Sequence, residues 1–204
     1  MLINDPSAVT GWVLRTSLAS PFGRKVRLAA ATLELDIRVE VADTTDPDDS
    51  LRQQNPLGKV PVLLLGDGRA LFDSSVIIDF LNEYDGRSRL IPIGEKRHLV
   101  LVQQALADGI LDAALLQMYE SRFRPVHLHG GQWLEHQRGK VQRALSYFEQ
   151  HLPQQQQAGP HIGEISLAVA LSYLDLRFEG RWRSQFPTLN QWHKEVQTRG
   201  WLQE

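Results

Sequence analysis

The fold of this chain is decided by the run Asn55-Pro56-Leu57-Gly58-Lys59-Val60-Pro61-Val62-Leu63, in which a turn leads through a proline into an apolar segment. Proline cannot donate a backbone hydrogen bond, so within a sheet it is confined to edges, strand beginnings and bulges. The Val60–Pro61 bond is therefore either an ordinary trans bond at the start of a strand or a cis bond in a tight turn. In such a tight turn, the N–H and C=O of Val60 are left to pair with an extended peptide lying alongside.

The composition excludes several classes of function. The 204 residues include 42% apolar and 23% charged side chains, with a net charge of −2. This is typical of a globular protein with no bulk attraction to nucleic acid or to an anionic membrane. Cysteine is absent, which excludes disulfides, thiolate metal sites and cysteine nucleophiles and fits a reducing cytoplasm. No stretch is expected to approach the apolar length needed to span a bilayer, and the first eleven residues lack the pattern of a signal peptide.

The first half of the chain alternates predicted strands and helices. In chain order we expect a strand at 12–14, a polar loop at 15–20, a helix from Pro21, a half-buried strand at 37–41, a short helix at 51–54, a hairpin around 66–68 and a helix after Asp73. A right-handed crossover makes the first two strands parallel. The hairpin adds an antiparallel pair, so the pattern predicts a mixed four-stranded sheet.

Beyond residue 86 the strand signal ends, and the second half is predicted to be all-helical. Apolar residues at helical spacing indicate a long helix through residues 99–118, a second at 133–151, a buried central helix at 165–178 and a last one opening near Pro187. Gly109 inside the long helix suggests close packing. Residues 153–160, with four consecutive glutamines, are expected to form a solvated loop.

Several motifs now identify a family resemblance. Three motifs resemble the thioredoxin-like domain of cytosolic glutathione S-transferases, and especially its bacterial members. They are Ser17-x-x-Ser20-Pro21-Phe22-x-Arg24-Lys25-Val26-Arg27, the run 55–63 quoted above, and Phe72-Asp73-Ser74. The helical domain of the same group resembles Ala107-Asp108-Gly109-Ile110-x-Asp112 and Leu171-x-Tyr173-Leu174-Asp175. Two positions depart from the family pattern. Asp73 stands where the family usually has glutamate, and His161-x-x-Glu164 stands where a Ser/Thr-x-x-Asp capping box is usual.

The resemblance implies a domain plan and a set of properties. Residues 1–11 form a polar extension, 12–85 a thioredoxin-like glutathione-binding domain, 86–94 a linker and 95–204 the helical domain. The family's bond at Pro61 is cis, its members are usually homodimers, and a cytoplasmic detoxification role follows. The implied function is a transferase that binds glutathione as co-substrate and activates its thiol for attack on a small electrophile. The alternative is a non-catalytic relative that binds glutathione or a protein partner.

The catalytic hydroxyl is expected at the start of the first helix. A free thiol has a pKa of about 8.5, and only its thiolate is nucleophilic, so the site needs hydrogen-bond donors and positive potential at the sulfur. A helix N-terminus supplies the potential. The resemblance assigns the donor to Ser20, with Ser17 as the alternate. Ser20 also has the sequence of a plain helix cap, and both roles stay open.

The resemblance also assigns the binding residues. Lys59, Val60, Pro61, Asp73 and Ser74 would hold glutathione, with Val60 on the cysteinyl backbone and Asp73 and Ser74 on the γ-glutamyl group. Phe22, Met118, Tyr119 and Arg122 are the candidates for the second-substrate wall. The pair His127-x-His129 lacks accompanying carboxylate or cysteine ligands, so no metal site is predicted. Arg24, Lys25 and Arg27 are expected on a solvated helix face.

Overall fold

The computed structural model describes residues 11–154 and 159–202. The predicted polar extension before Gly11 and the middle of the predicted glutamine loop therefore lie outside the described residues. The chain divides into two compact units. One unit runs as far as Arg97 and takes in a short return segment that ends at Ile162, and the other begins at His98.

The first unit has the predicted order of strands and helices. Its elements are β1 (Val13–Thr16), α1 (Pro21–Thr32), β2 (Arg38–Val41), α2 (Leu51–Gln54), β3 (Val62–Leu64), β4 (Ala70–Leu71) and α3 (Ser74–Asp85). The strands form one sheet in the order β2-β1-β3-β4. β1 pairs parallel with β2, and β3 pairs antiparallel with β1 and with β4. The expected mixed four-stranded sheet is therefore confirmed.

Two strand predictions need correction. β1 continues through Arg15 and Thr16, which were expected in a loop, because both residues still have a partner on β2. β2 was expected to be half-buried, but Val39 and Val41 are 41% and 66% exposed. β2 is an edge strand with β1 as its one neighbour, so its side chains have less of the sheet to pack against.

Two helices flank the sheet and complete the core of the first unit. α1 packs against α3, and the apolar face of each supplies buried residues such as Val26, Ala29, Ile77 and Leu81. α3 ends at Gly86, whose φ of 69° is the left-handed conformation that glycine adopts at helix ends.

The second unit is built from helices. They are α4 (Glu95–Phe123), α5 (Gly131–Gln150), α6 (Ile162–Phe178) and α7 (Pro187–Gln197). α6 is buried along nearly its whole length, as its apolar composition predicts. The close packing expected at Gly109 is wrong, because Gly109 is exposed and an added Cβ would meet nothing within 4 Å.

α4 bears on the membrane prediction. Between residues 99 and 117 its charges are Asp108 and Asp112 alone. By length and composition α4 could cross a membrane, with a mean hydropathy of 1.6 over an 18-residue window that is 44% buried. The expectation that no segment approaches this length is therefore wrong. The core helix of a soluble protein passes the same test, so one such helix is weak evidence for a membrane location.

Candidate functional site

The N-terminus of α1 carries the first candidate residue. Ser20 is the N-cap, and its Oγ accepts a hydrogen bond of 3.1 Å from the N–H of Gly23. Pro21 occupies the first helical position, where a backbone N–H would have no partner within the helix, so proline loses no helical hydrogen bond there. The N–H of Ser20 donates to the carbonyl of Ser17 at 3.0 Å, which closes the turn before the helix.

The direction of the cap bond decides what Ser20 can still do. Its oxygen accepts in this bond, so the proton of its hydroxyl remains available for donation. The side chain is half-exposed and lies beside the unpaired N–H groups and positive potential of a helix N-terminus. Ser20 can therefore cap α1 and donate to an anion at the same time. Ser17 is also half-buried, and its carbonyl, rather than its hydroxyl, contributes to the turn.

A close contact that the sequence analysis missed holds this helix end against the sheet. A Cβ atom on Gly23 would overlap Oγ1 of Thr16 and lie 2.9 Å from its Cβ. Thr16 is 1% exposed and ends β1. Only glycine allows the first turn of α1 to approach the strand so closely. Glycine inside a helix costs about 1 kcal/mol relative to alanine, and its presence in the first turn was the available signal.

The turn before β3 is organised by a second residue that the sequence analysis did not single out. Asn55 is 2% exposed, donates to the carbonyl of Lys59 at 2.9 Å and accepts from the N–H of Leu57 at 3.0 Å. Gly58 follows with a φ of 59° and donates to the carbonyl of Asn55. This side chain fixes the backbone that leads to Val60. The available signal was that asparagine bonds its own backbone two residues on.

The Val60–Pro61 peptide bond is cis, as the resemblance implies. The side chain of Val60 packs against a small core cluster that includes Ala42 and Leu51. Across residues 11–154 and 159–202, neither the N–H nor the C=O of Val60 has a hydrogen-bond partner. Pro61 is buried and the Lys59 side chain is exposed. The backbone of Val60 can therefore pair with an added extended peptide.

Asp73 and Ser74 begin α3. Asp73 is its N-cap, with Oδ1 accepting the N–H of Ser75 at 2.9 Å. Asp73 is exposed, whereas Ser74 is 3% exposed. A helix N-terminus with an adjacent carboxylate suits a ligand group that carries both a negative and a positive charge. The Phe72–Asp73 peptide bond is also cis, which the sequence analysis did not predict.

The sheet register brings the start of α1, the turn before β3 and the start of α3 to one end of the sheet. Arg15 of β1 pairs with Val62 of β3, and Leu63 of β3 pairs with Leu71 of β4. Because β1 and β4 both run antiparallel to β3, the C-terminal ends of β1 and β4 lie at the end of the sheet where β3 begins. The Ser17–Ser20 turn, the Val60–Pro61 bond and the start of α3 therefore lie at that end of the sheet.

The candidates for the second substrate lie in two units. Phe22 is half-buried in the first unit, with the Lys25 ammonium 5.4 Å from its ring centroid. Met118 is half-buried on α4, Tyr119 is 43% exposed and Arg122 is exposed. The common wall that we assigned to these side chains stays a prediction.

The solvated helix face predicted for Arg24, Lys25 and Arg27 is wrong. Lys25 is fully buried, and the two arginines are half-buried. Lys25 falls on the same helical stripe as Pro21, Leu28 and Ala29, which are also buried. Long basic side chains can bury their aliphatic stems against apolar surface, which a charge count along the sequence does not reveal.

Within the described parts of the chain, no group of three or more His, Asp or Glu side chains is placed to hold a metal ion. The ring of His129 is engaged instead with the carbonyl of Arg124 at 3.0 Å.

Known proteins resemble both units of this chain. One family model, the glutathione S-transferase N-terminal domain, matches residues 19–84, and the C-terminal domain model matches residues 131–195. A curated relative, the uncharacterized GST-like protein YibF of Escherichia coli strain K12, is 34% identical over 166 residues. That match spans 79% of this chain and 81% of the relative.

Two solved structures are similar over nearly the whole chain. A glutathione S-transferase from Methylobacillus flagellatus KT with glutathione bound has a TM-score of 0.85 and 33% identity, covering 94% of this chain and 97% of that one. A glutathione transferase family member from Pseudomonas fluorescens Pf-5 with bound glutathione has a TM-score of 0.83 and 35% identity, with the same coverage.

Proposed function

This chain belongs to the glutathione S-transferase family, and from that premise we propose that it binds glutathione and activates its thiol for attack on a small electrophile. The observation that supports the proposal is the cap geometry of Ser20: its Oγ accepts a hydrogen bond from the N–H of Gly23, so its proton is not used by the cap and could be donated to the glutathione sulfur. A hydrogen bond to an anion stabilises the charged form and lowers the pKa of the thiol. The helix N-terminus acts in the same direction.

The remaining parts of glutathione would bind the turn at Val60–Pro61 and the start of α3, at the same end of the sheet. The backbone of Val60 would pair with the cysteinyl residue, adding a short strand to the sheet beside Pro61. The N–H groups at the start of α3, with Ser74, would hold the γ-glutamyl carboxylate. Asp73 would pair with the γ-glutamyl amine through the carboxylate oxygen that the cap bond leaves open. Lys59, which is exposed, would reach the glycyl carboxylate.

Phe22, Met118, Tyr119 and Arg122 remain the proposed residues for the second substrate. The chain has no cysteine, so mixed-disulfide chemistry through a protein thiol is not available to it. We also propose the domain boundaries 12–85, 86–94 and 95–204, a homodimeric state, a cytoplasmic location, and no nucleic acid, membrane or metal partner.

The alternative function is a non-catalytic protein that binds glutathione or a protein partner. It is favoured by the completeness of the cap at Ser20, since the bond to Gly23 is a sufficient reason for a serine at this position. The two functions differ in whether the hydroxyl proton is used on a bound thiol.

Calorimetric titration with glutathione, combined with turnover of a nitro-activated aryl chloride, tests the proposal. We expect saturable glutathione binding and turnover above the uncatalysed rate. Binding without turnover of several electrophile classes would favour the non-catalytic binder. Absence of both would leave a role in protein interaction. Ser20→Ala should lower the turnover, and its matched control is Ser121→Ala. Ser121 is exposed near the end of α4, and its Oγ donates only to the backbone carbonyl of Met118.

A further inference from the structure

Arg15 of β1 ties the segment 43–55 to the sheet. Its Nη2 atom donates to both carboxylate oxygens of Asp49, at 2.8 and 3.1 Å, and its Nη1 atom donates to Oγ of Ser50 at 3.0 Å. The side chains of Arg15 and Asp49 are each 11% exposed. Arginine presents its donors in a rigid planar fork, so these bonds fix the direction of the contact as well as its distance. We call this contact between Arg15, Asp49 and Ser50 the Arg15 clamp.

Asp49 extends the clamp to the backbone of the segment. Its Oδ2 accepts the N–H of Asp43 at 2.9 Å, and its Oδ1 accepts the N–H of Leu51 at 2.7 Å. These two backbone bonds lower the pKa of Asp49, burial raises it in part, and Arg15 lowers it further. The carboxylate is therefore ionised at neutral pH, and the clamp is a permanent contact there.

The clamp reaches Val60 by two routes. Leu51, whose N–H the clamp holds, is fully buried and belongs to the core cluster against which Val60 packs. The carbonyl of Leu51 accepts the N–H of Asn55 at 2.7 Å. Asn55 in turn organises the turn that leads to Val60 through its bond to the carbonyl of Lys59. The placement of the Val60 backbone therefore depends on where the clamp holds Leu51.

The clamp lies on the face of the sheet opposite α1. Successive side chains of a strand point to opposite faces, and the next residue of β1, Thr16, lies against Gly23 of α1. Arg15 therefore points to the other face, away from the helix that Ser20 caps. A change at Arg15 should act on Val60 and leave Ser20 as it is.

We propose that Arg15 is a positioning residue for glutathione, because it holds the segment 43–55 so that the backbone of Val60 is ordered before the tripeptide binds. The inference rests on the proposed function, since it assigns the residue that prepares one of the binding groups of that function. Arg15 acts through Val60 and does not bind the tripeptide itself, because its guanidinium is engaged with Asp49 and Ser50. When the clamp is weakened, the dissociation constant of glutathione rises by the inverse of the fraction of molecules in which the segment is ordered.

Arg15→Lys tests the clamp with a small change, because lysine keeps the charge but lacks the fork. Calorimetric titration of the whole protein should give a glutathione dissociation constant about 5- to 10-fold higher than that of the unaltered protein. The pKa of the bound thiol, followed by ultraviolet absorbance, should stay within about 0.2 unit of its unaltered value, because Ser20 is undisturbed. A general loss of structure would not separate these two quantities.

Arg89→Lys is the matched control. Arg89 also forms an arginine–aspartate pair in the first unit, with its Nη2 2.8 Å from Oδ1 of Asp85, and it donates to the carbonyl of Leu33 as well. This pair lies at the C-terminal ends of α1 and α3, whereas the proposed site uses the N-terminal ends of both helices. Arg89→Lys should also lower the free energy of unfolding, but it should leave the glutathione dissociation constant unchanged.

Hydrogen–deuterium exchange of the glutathione-free protein tests the ordering of the segment without relying on the proposed function. The amides of Asp43 and Leu51 should exchange severalfold faster in Arg15→Lys, and saturating glutathione should restore their protection. Ser50→Ala removes one bond of the clamp and should show the same changes to a smaller extent, which keeps the test available if Arg15→Lys does not fold.

Unchanged exchange at these two amides, or an equal rise of the dissociation constant in Arg15→Lys and Arg89→Lys, would overturn the inference. Turnover separates the inference from the proposed function. Weaker glutathione binding by Arg15→Lys, in a protein that shows no turnover, supports the clamp and contradicts the transferase. Unchanged binding by Arg15→Lys, in a protein that turns over, does the reverse. Absence of glutathione binding by the unaltered protein would contradict both.

Discussion

The hydroxyl of Ser20 can be removed in two ways that separate its two roles. Ser20→Ala removes both the cap acceptor and the thiol donor. Ser20→Gly also removes both groups, but glycine is itself an acceptable N-cap residue. The alanine variant should therefore lose about 1 kcal/mol of unfolding free energy, and the glycine variant only a few tenths. Any effect common to both variants then belongs to the missing donor and not to the stability of α1.

The donor's contribution can be worked from the type of bond. A hydrogen bond to a charged group contributes about 1.5–3 kcal/mol, and one pKa unit corresponds to about 1.4 kcal/mol. Both variants should therefore raise the pKa of bound glutathione by about 1–2 units. Below both pKa values the thiolate fraction falls about tenfold per unit, while intrinsic nucleophilicity rises with a Brønsted coefficient of about 0.4–0.5. The rate should then fall by roughly 3- to 10-fold.

Two measurements check this expectation. Ultraviolet absorbance of the bound thiolate, followed against pH, gives the pKa for the protein and for each variant. The pH dependence of turnover gives a second estimate of the same shift. Above the raised pKa the thiolate of a variant is fully formed again and is the more basic nucleophile, so its rate should exceed that of the unaltered protein by roughly 3- to 10-fold. Glutathione affinity, measured at a pH where the thiol is protonated in every form, should change little.

One outcome refutes the reasoning directly. If the thiol pKa in Ser20→Gly equals that of the unaltered protein, the hydroxyl does not donate to the sulfur. Ser17→Ala serves as the matched control, because Ser17 contributes its carbonyl to the turn and alanine keeps that carbonyl. A shift found in Ser17→Ala and absent from both Ser20 variants would transfer the role to Ser17.

Three further changes test the frame of the site. Gly23→Ala forces a Cβ into Thr16 and should cost about 1–3 kcal/mol of unfolding free energy; Thr16→Ala should restore part of it in a double-mutant cycle, and full additivity would show no contact. Asp85, whose carboxylate is 1% exposed, forms an ion pair with Arg89. Asp85→Asn removes that carboxylate and leaves the partly buried Arg89 unpaired, which should cost about 3 kcal/mol of unfolding free energy in chemical denaturation. Burial raises the pKa of Asp85, but the hydrogen bonds from Arg89 and Arg87 outweigh burial, so the pKa is lowered overall. The stabilisation by this carboxylate should therefore be lost from the unaltered protein as the pH falls below 3.8. An equal pH dependence of stability in the variant would contradict the pairing. Asp73→Asn keeps the cap but loses the charge, so stability should hold while glutathione affinity falls about tenfold; unchanged affinity would limit Asp73 to capping.

The features that the sequence predicted well are set by neighbours along the chain. The cap at Ser20 and the start of α1 at Pro21 follow from local backbone chemistry. The hairpin at residues 66–68 follows from a short turn between apolar segments, and the structure closes it with a bond from the N–H of Gly68 to the carbonyl of Leu65. Such signals need no knowledge of what packs against them.

The features that were missed depend on distant contacts. Lysine is usually exposed in proteins, but Lys25 falls on the buried face of α1. Asp175 belongs to a motif that the resemblance identified, yet its role appears only in three dimensions. Its Oδ1 accepts hydrogen bonds from Trp182 Nε1 at 3.0 Å and from Arg183 Nε at 2.9 Å. No spacing rule connects a helix residue to partners in the following loop.

Capping and catalysis at Ser20 were competing explanations in the sequence because both predict the same residue. The geometry removes the competition. A hydroxyl has two acceptor lone pairs and one proton. The bond from Gly23 uses a lone pair, and a thiolate would use the proton. The cap is compatible with the donor role, because it holds the oxygen at the helix N-terminus and leaves the proton available. A serine that caps this helix can therefore also serve as the donor that we propose.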